Sequence, residues 1–112
     1  MNIADLMRRV HQTAKDKGWW DTPDINIPQK LALIHSEVSE ALEEYRNSKP
    51  PLYYTLDPSF ASKPEGMVAE LADVIIRVLD LCAALDLPII EAIKRKCDYN
   101  DLRPYRHGGK KC

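Results

Sequence analysis

No apolar run in this sequence is long enough to cross a bilayer: Val74-Ile75-Ile76 is cut by Arg77, and the stretch around Leu81 lies between Asp80 and Asp86. The N-terminus carries Asp5 and lacks the apolar stretch and small-residue cleavage site of a secretory signal. The three cysteines, Cys82, Cys97 and Cys112, are an odd number without C-x-x-C spacing, which argues against a disulfide framework or a zinc site. These absences point to a protein of the reducing cytoplasm with no membrane contact. An excess of charge of one sign is also missing: 16 basic and 17 acidic residues leave a formal net charge of -1, so neither a nucleic-acid binder nor a disordered acidic chain is indicated. Glycine is scarce, and the four present form neither a G-x-x-x-x-G-K-[ST] phosphate loop nor a G-x-G-x-x-G turn. No convincing strand is expected.

What the sequence does have is helical periodicity. Its 112 residues suit one domain, 1-112, with a single core. Ile3, Leu6, Met7, Val10 and Ala14 recur at helical spacing and predict a first helix over 3-17, closed by Gly18. A second is expected from Pro28 to Asn47, with Leu31, Ile34, Val38, Ala41, Leu42 and Tyr45 as its buried stripe. Residues 49-64 hold four prolines among Tyr53, Tyr54 and Phe60 and predict a long loop with aromatic anchors, either a packed surface loop or a lid. The third helix, 65-85, has a broad apolar face of Met67, Val68, Leu71, Val74, Ile75, Val78, Leu79 and Cys82, with Ile76 and Leu81 outside it. It is expected to be buried on more than one side, in a bundle or against a second subunit. A fourth helix follows Pro88 and ends at Leu102, with Ile89, Ile90, Ile93 and Cys97 inward, before a basic tail over 103-112.

Acids stand out against this frame. Glu37-Val38-Ser39-Glu40 and Glu70-Leu71-Ala72-Asp73 each place two carboxylates three residues apart, neighbours on one helix face that repel each other. No lysine or arginine lies three or four residues from Glu37 or Glu40. On one helix a solvated acidic face is the ordinary reading; on the most apolar helix of the chain, buried carboxylates must be paired or bound to metal. Side by side, the two helices would gather four oxygen-bearing groups, a set that suits magnesium (Mg2+), with manganese (Mn2+) as a substitute, and not zinc or copper. Neither Glu37 nor Glu70 is followed by histidine at the spacing of carboxylate-bridged di-iron bundles. His35, on the shoulder of the second helix, reads as a packed or hydrogen-bonded residue. Trp19 and Trp20 sit in the turn before that helix; one is expected to cap the core, and either is a base-stacking candidate. An acidic magnesium cage beside a helix bearing Lys94, Arg95 and Lys96 implies a polyphosphate substrate.

The pattern Glu37-x-x-Glu40, spacer, Glu70-x-x-Asp73 resembles the MazG-like all-α nucleoside triphosphate pyrophosphohydrolases. The resemblance extends to the tryptophan turn and to Lys96, Tyr99-Asn100, Arg103-Pro104 and His107-Gly108-Gly109-Lys110. It implies an all-α, four-helix bundle-like fold completed by homodimer or homotetramer formation. It also implies that Glu37, Glu40, Glu70 and Asp73 bind magnesium and act in catalysis, while Lys96, Asn100 and Arg103 contact substrate phosphates. The implied reaction converts a (deoxy)nucleoside triphosphate to the monophosphate and pyrophosphate. The alternative is a non-catalytic helical oligomerisation or regulatory module that binds metal and nucleotide without turnover.

Overall fold

The computed structural model describes residues 1-112. In chain order the elements are helix α1 (Ile3–Asp16), helix α2 (Ile27–Arg46), strands β1 (Tyr53–Leu56) and β2 (Ser62–Glu65), helix α3 (Met67–Ala84), helix α4 (Ile89–Leu102) and a single turn, α5 (Arg106–Gly109). The fold is predominantly α. Local chemistry explains the helix starts: the Asn2 side chain accepts from the Asp5 N–H at 2.8 Å, and Asn26 accepts from the Gln29 N–H at 3.0 Å with Pro28 in the first turn. Each such cap contributes about 1 kcal/mol by satisfying an amide that the helix itself leaves unpaired. Gly18, at φ +86°, takes the left-handed conformation that turns the chain out of α1.

The two strands correct the expectation of a strandless chain. Tyr53 to Leu56 pair antiparallel with Glu65 to Ser62, and the connecting loop is closed by Asp57, whose Oδ1 accepts from the Ser59 N–H, the Ser59 hydroxyl and the Ala61 N–H. Prolines had argued for a loop, but Pro64 sits on a two-stranded ribbon, where a missing N–H is tolerated at the edge. The Tyr53 hydroxyl donates to Glu44 at 3.1 Å and ties the hairpin to α2.

Helix α3 lies between α1 and α2, and the core is small: Ala41 on α2, with Leu79, Leu81 and Cys82 on α3. This differs from the expected faces. On α2 the buried pair is Glu37 and Ala41, one turn apart, while Leu31, Val38, Leu42 and Tyr45 are each half or more exposed. The small Ala41 allows close approach to α3, and choosing that edge turns the larger side chains outward. On α3, Leu81 is buried, whereas Val68, Leu71 and Ile75 are exposed. Helix α4 packs only marginally on the others; none of its residues is buried, so Ile90, Ile93 and Cys97 do not point into a core. His35 is also exposed, and its side chain makes no hydrogen bond. The radius of gyration, 16.9 Å, exceeds the roughly 13 Å of a compact chain of this length. No helix is long and apolar enough to cross a membrane.

Candidate functional site

The start of α3 is set by Gly66, at φ +103°. A Cβ there would lie 2.6 Å from the Pro51 carbonyl oxygen and 2.7 Å from that of Pro50, and the Val68 N–H donates to the same Pro51 oxygen at 2.9 Å. Only glycine fits this crossing. It locks the first turns of α3, which carry Glu70 and Asp73, to the chain leaving α2. Carboxylate oxygens of Glu37, Glu70 and Asp73 lie within 4.8 Å of one another. Glu37 is the deepest of them, 6% exposed. Its Oε1 accepts from Arg77 Nε at 2.8 Å, while its Oε2 is buried with no hydrogen-bond partner. Glu40 is exposed and stands near enough to Glu70 to perturb it, yet lies outside the close cluster.

The crowding has an electrostatic signature. Burial, then the Glu37 and Glu40 carboxylates, push Glu70 from 4.5 to about 7. Asp73 is raised by burial and the Glu37 charge, with Arg77 and Lys63 opposing. Burial pushes Glu37 upward as well, but the Arg77 hydrogen bond and charge, with the Glu70 and Glu40 carboxyls close by, bring it below its ordinary value. Glu70 therefore keeps its proton to higher pH than an ordinary carboxyl does, beside an ionised Glu37. A buried carboxylate oxygen without a partner is costly in a folded protein, and here it belongs to a cluster of three carboxylates with no histidine or cysteine ligand. These residues fit a hard divalent cation of the magnesium or manganese type, which would supply the missing partner and displace the proton on Glu70.

Beside the carboxylates a cavity of about 620 Å³ opens between α1, the tryptophan turn, α2 and α3, with Glu37, Asp73 and Arg77 on one side and Trp19 and Trp20 on another. Trp20 is partly buried; its indole N–H donates to both Asp80 oxygens at 3.0 and 3.1 Å, and the Lys30 ammonium lies 4.5 Å from its ring centre. His11 Nδ1 is 2.8 Å from Asp80 Oδ1, so Asp80 ties α1 and the tryptophan turn to α3. Trp19 is 69% exposed, leaving its ring open to a planar ligand. Lys96, Asn100 and Arg103 lie on or next to α4. No hydrogen bond or ion pair joins them to the carboxylates; Lys96 and Arg103 instead stack on the Tyr99 ring at 5.4 and 5.5 Å.

In the sequence Arg77 and Asp80 show only as charges that interrupt apolar runs. Their partners, Glu37 and Trp20, lie 40 and 60 residues away, a distance at which helical periodicity carries no signal. Comparisons with protein-family models, curated proteins and solved structures find no match to this chain.

Proposed function

We propose that this chain is a magnesium-dependent, MazG-like nucleotide pyrophosphohydrolase that cleaves (deoxy)nucleoside triphosphates between the α and β phosphates. The observation that carries the reading is the buried, partnerless Oε2 of Glu37, a residue whose carboxylate comes within 4.8 Å of Glu70 and Asp73 oxygens at the edge of the cavity. Glu37, Glu70 and Asp73 would hold the metal, and Glu40 is free to complete the set from the solvent side. A magnesium ion held by these carboxylates would supply charge neutralisation for the phosphates and a more acidic water. Trp19 offers an exposed ring for the base, and Trp20, pinned by Asp80, forms the inner wall. A cavity of about 620 Å³ falls in the range usual for small-molecule sites.

A homodimer or homotetramer belongs to this proposal. Six of 112 residues are buried, and the exposed Val38, Leu42 and Tyr45 on α2 and Leu71 and Ile75 on α3 are apolar surface that a single chain leaves uncovered. Cytoplasmic residence belongs to it as well, since all three cysteines are free. The test is incubation of purified protein with each common nucleoside triphosphate, with and without Mg2+. Monophosphate plus pyrophosphate, formed only with metal, is the expected result; diphosphate plus phosphate would refute the bond assignment. A second reading, a metal- and nucleotide-binding module without turnover, draws support from the separation of Lys96, Asn100 and Arg103 from the carboxylates. It predicts binding and no product.

A further inference from the structure

We propose that Arg77 serves as a built-in stand-in for the metal at Glu37, and that metal binding releases its guanidinium into the cavity to hold a substrate phosphate. The inference rests on the metal reading above and adds a residue to it. Arg77 is the one cation paired with any of the four motif carboxylates: its Nε donates to Glu37 at 2.8 Å, across 40 residues of sequence. Without it, a carboxylate that is 6% exposed would lie beside Glu70 and Asp73 with neither of its oxygens partnered. A divalent cation at the same oxygens would do what Arg77 does, with more charge. The two therefore compete for Glu37, and each lowers the affinity of the other by the same factor.

The Arg77 side chain suits such an exchange. It is 42% exposed where Glu37 is buried, so it can withdraw without breaking the core. Only Nε is committed to a hydrogen bond, which leaves both terminal amino groups uncommitted, and the residue lines the cavity together with Glu37 and Asp73. A guanidinium released there would present a planar fork of donors, the geometry that matches phosphate oxygens. Lys96, Asn100 and Arg103 do not line this cavity, so Arg77 is the arginine best placed to meet an anion beside the carboxylates.

The test compares wild type with Arg77→Met, using Lys17→Met as a charge control; Lys17 lines the same cavity and makes no ion pair. Calorimetric titration of the metal-free proteins with Mg2+ alone should show Arg77→Met binding about three- to tenfold tighter than wild type, the factor expected when a part-exposed ion pair is relieved. Lys17→Met should stay within about twofold of wild type, because it removes charge without freeing Glu37. The metal-free Arg77→Met protein should also melt lower than wild type, and saturating Mg2+ should close the gap. With Mg2+ present, inorganic pyrophosphate should bind Arg77→Met at least about tenfold more weakly, as expected for a lost charge-assisted contact.

Unchanged or weaker Mg2+ binding in Arg77→Met, or an equal gain in Lys17→Met, overturns the stand-in role. Unchanged pyrophosphate binding overturns the phosphate contact. A wild-type protein that binds Mg2+ and releases pyrophosphate while Arg77→Met behaves identically defeats this inference alone. A wild type that binds no Mg2+ defeats the metal reading beneath it too.

Discussion

Glu70 offers the sharpest test of the carboxylate cluster, because its state couples stability to pH in a direction opposite to that of an ordinary surface acid. In the folded protein its carboxyl is pushed from 4.5 to about 7, so the native form holds a proton that the unfolded chain has released. The stability this contributes is complete below about pH 4.5 and is lost as pH rises through about 7. At about 1.4 kcal/mol per pH unit the gap corresponds to about 3 kcal/mol, which solvent access to Glu70 reduces to about 1.5 kcal/mol. For a domain of this size that is about 6 °C in melting temperature. Asp73, also raised, acts in the same sense; Glu37, lowered, contributes stability that is lost only as pH falls below 4.5.

The assay is thermal melting with a chelator present, from pH 4.5 to 8.5 at fixed protein concentration. Wild type should lose about 6 °C across the window, while Glu70→Gln should lose clearly less, keeping only the Asp73 share, and be the more stable protein at pH 8. Mg2+ should reverse the wild-type slope, since the cation needs ionised carboxylates and so stabilises more at pH 8 than at pH 5. A flat metal-free profile for wild type, or a Glu70→Gln protein that loses as much stability as wild type as pH rises, would refute the assignment of the proton to Glu70.

Other outcomes are equally checkable. Glu37→Gln, Glu40→Gln and Glu70→Gln should each lower nucleotide turnover at least about 100-fold with the helical circular dichroism unchanged, and wild-type rates in all three would remove the metal site. Asp80→Ala strips the acceptor from the Trp20 indole and from His11, and should cost about 2 kcal/mol in urea unfolding followed by tryptophan fluorescence; Asp80→Asn should cost less. Gly66→Ala drives a Cβ into the Pro50 and Pro51 carbonyls at a positive φ and should cost about 2–3 kcal/mol. Its Mg2+-induced rise in melting temperature should shrink as well, because the same crossing positions Glu70 and Asp73. Light scattering should give a dimer or tetramer mass, and charged substitutions at Leu42 and Ile75 should shift it toward monomer, since both side chains are more than half exposed in the isolated chain.

Local rules in the chain already determined the helices. Helical spacing in residues 3-17, Pro28 in a first turn and Gly18 after the last one are signals read within a few residues of each other, and the observed boundaries follow them closely. The four motif acids were legible for the same reason, as i, i+3 pairs on single helices. The hairpin was harder to see: Tyr53-Tyr54-Thr55 favours a strand, but its partner carries Pro64, and only pairing across the Asp57 turn reveals it. Tertiary structure decided which edge of each helix is inside. Small Ala41 let α2 approach α3 through the edge that carries Glu37, so an acid became buried and larger apolar residues faced outward, a choice that amphipathic counting cannot make when two edges compete. It also decided that Arg77 meets Glu37 and that Asp80 meets Trp20 and His11. Those contacts join residues 40 to 69 positions apart, and their existence depends on how α1, α2 and α3 pack, which no local property of the chain specifies.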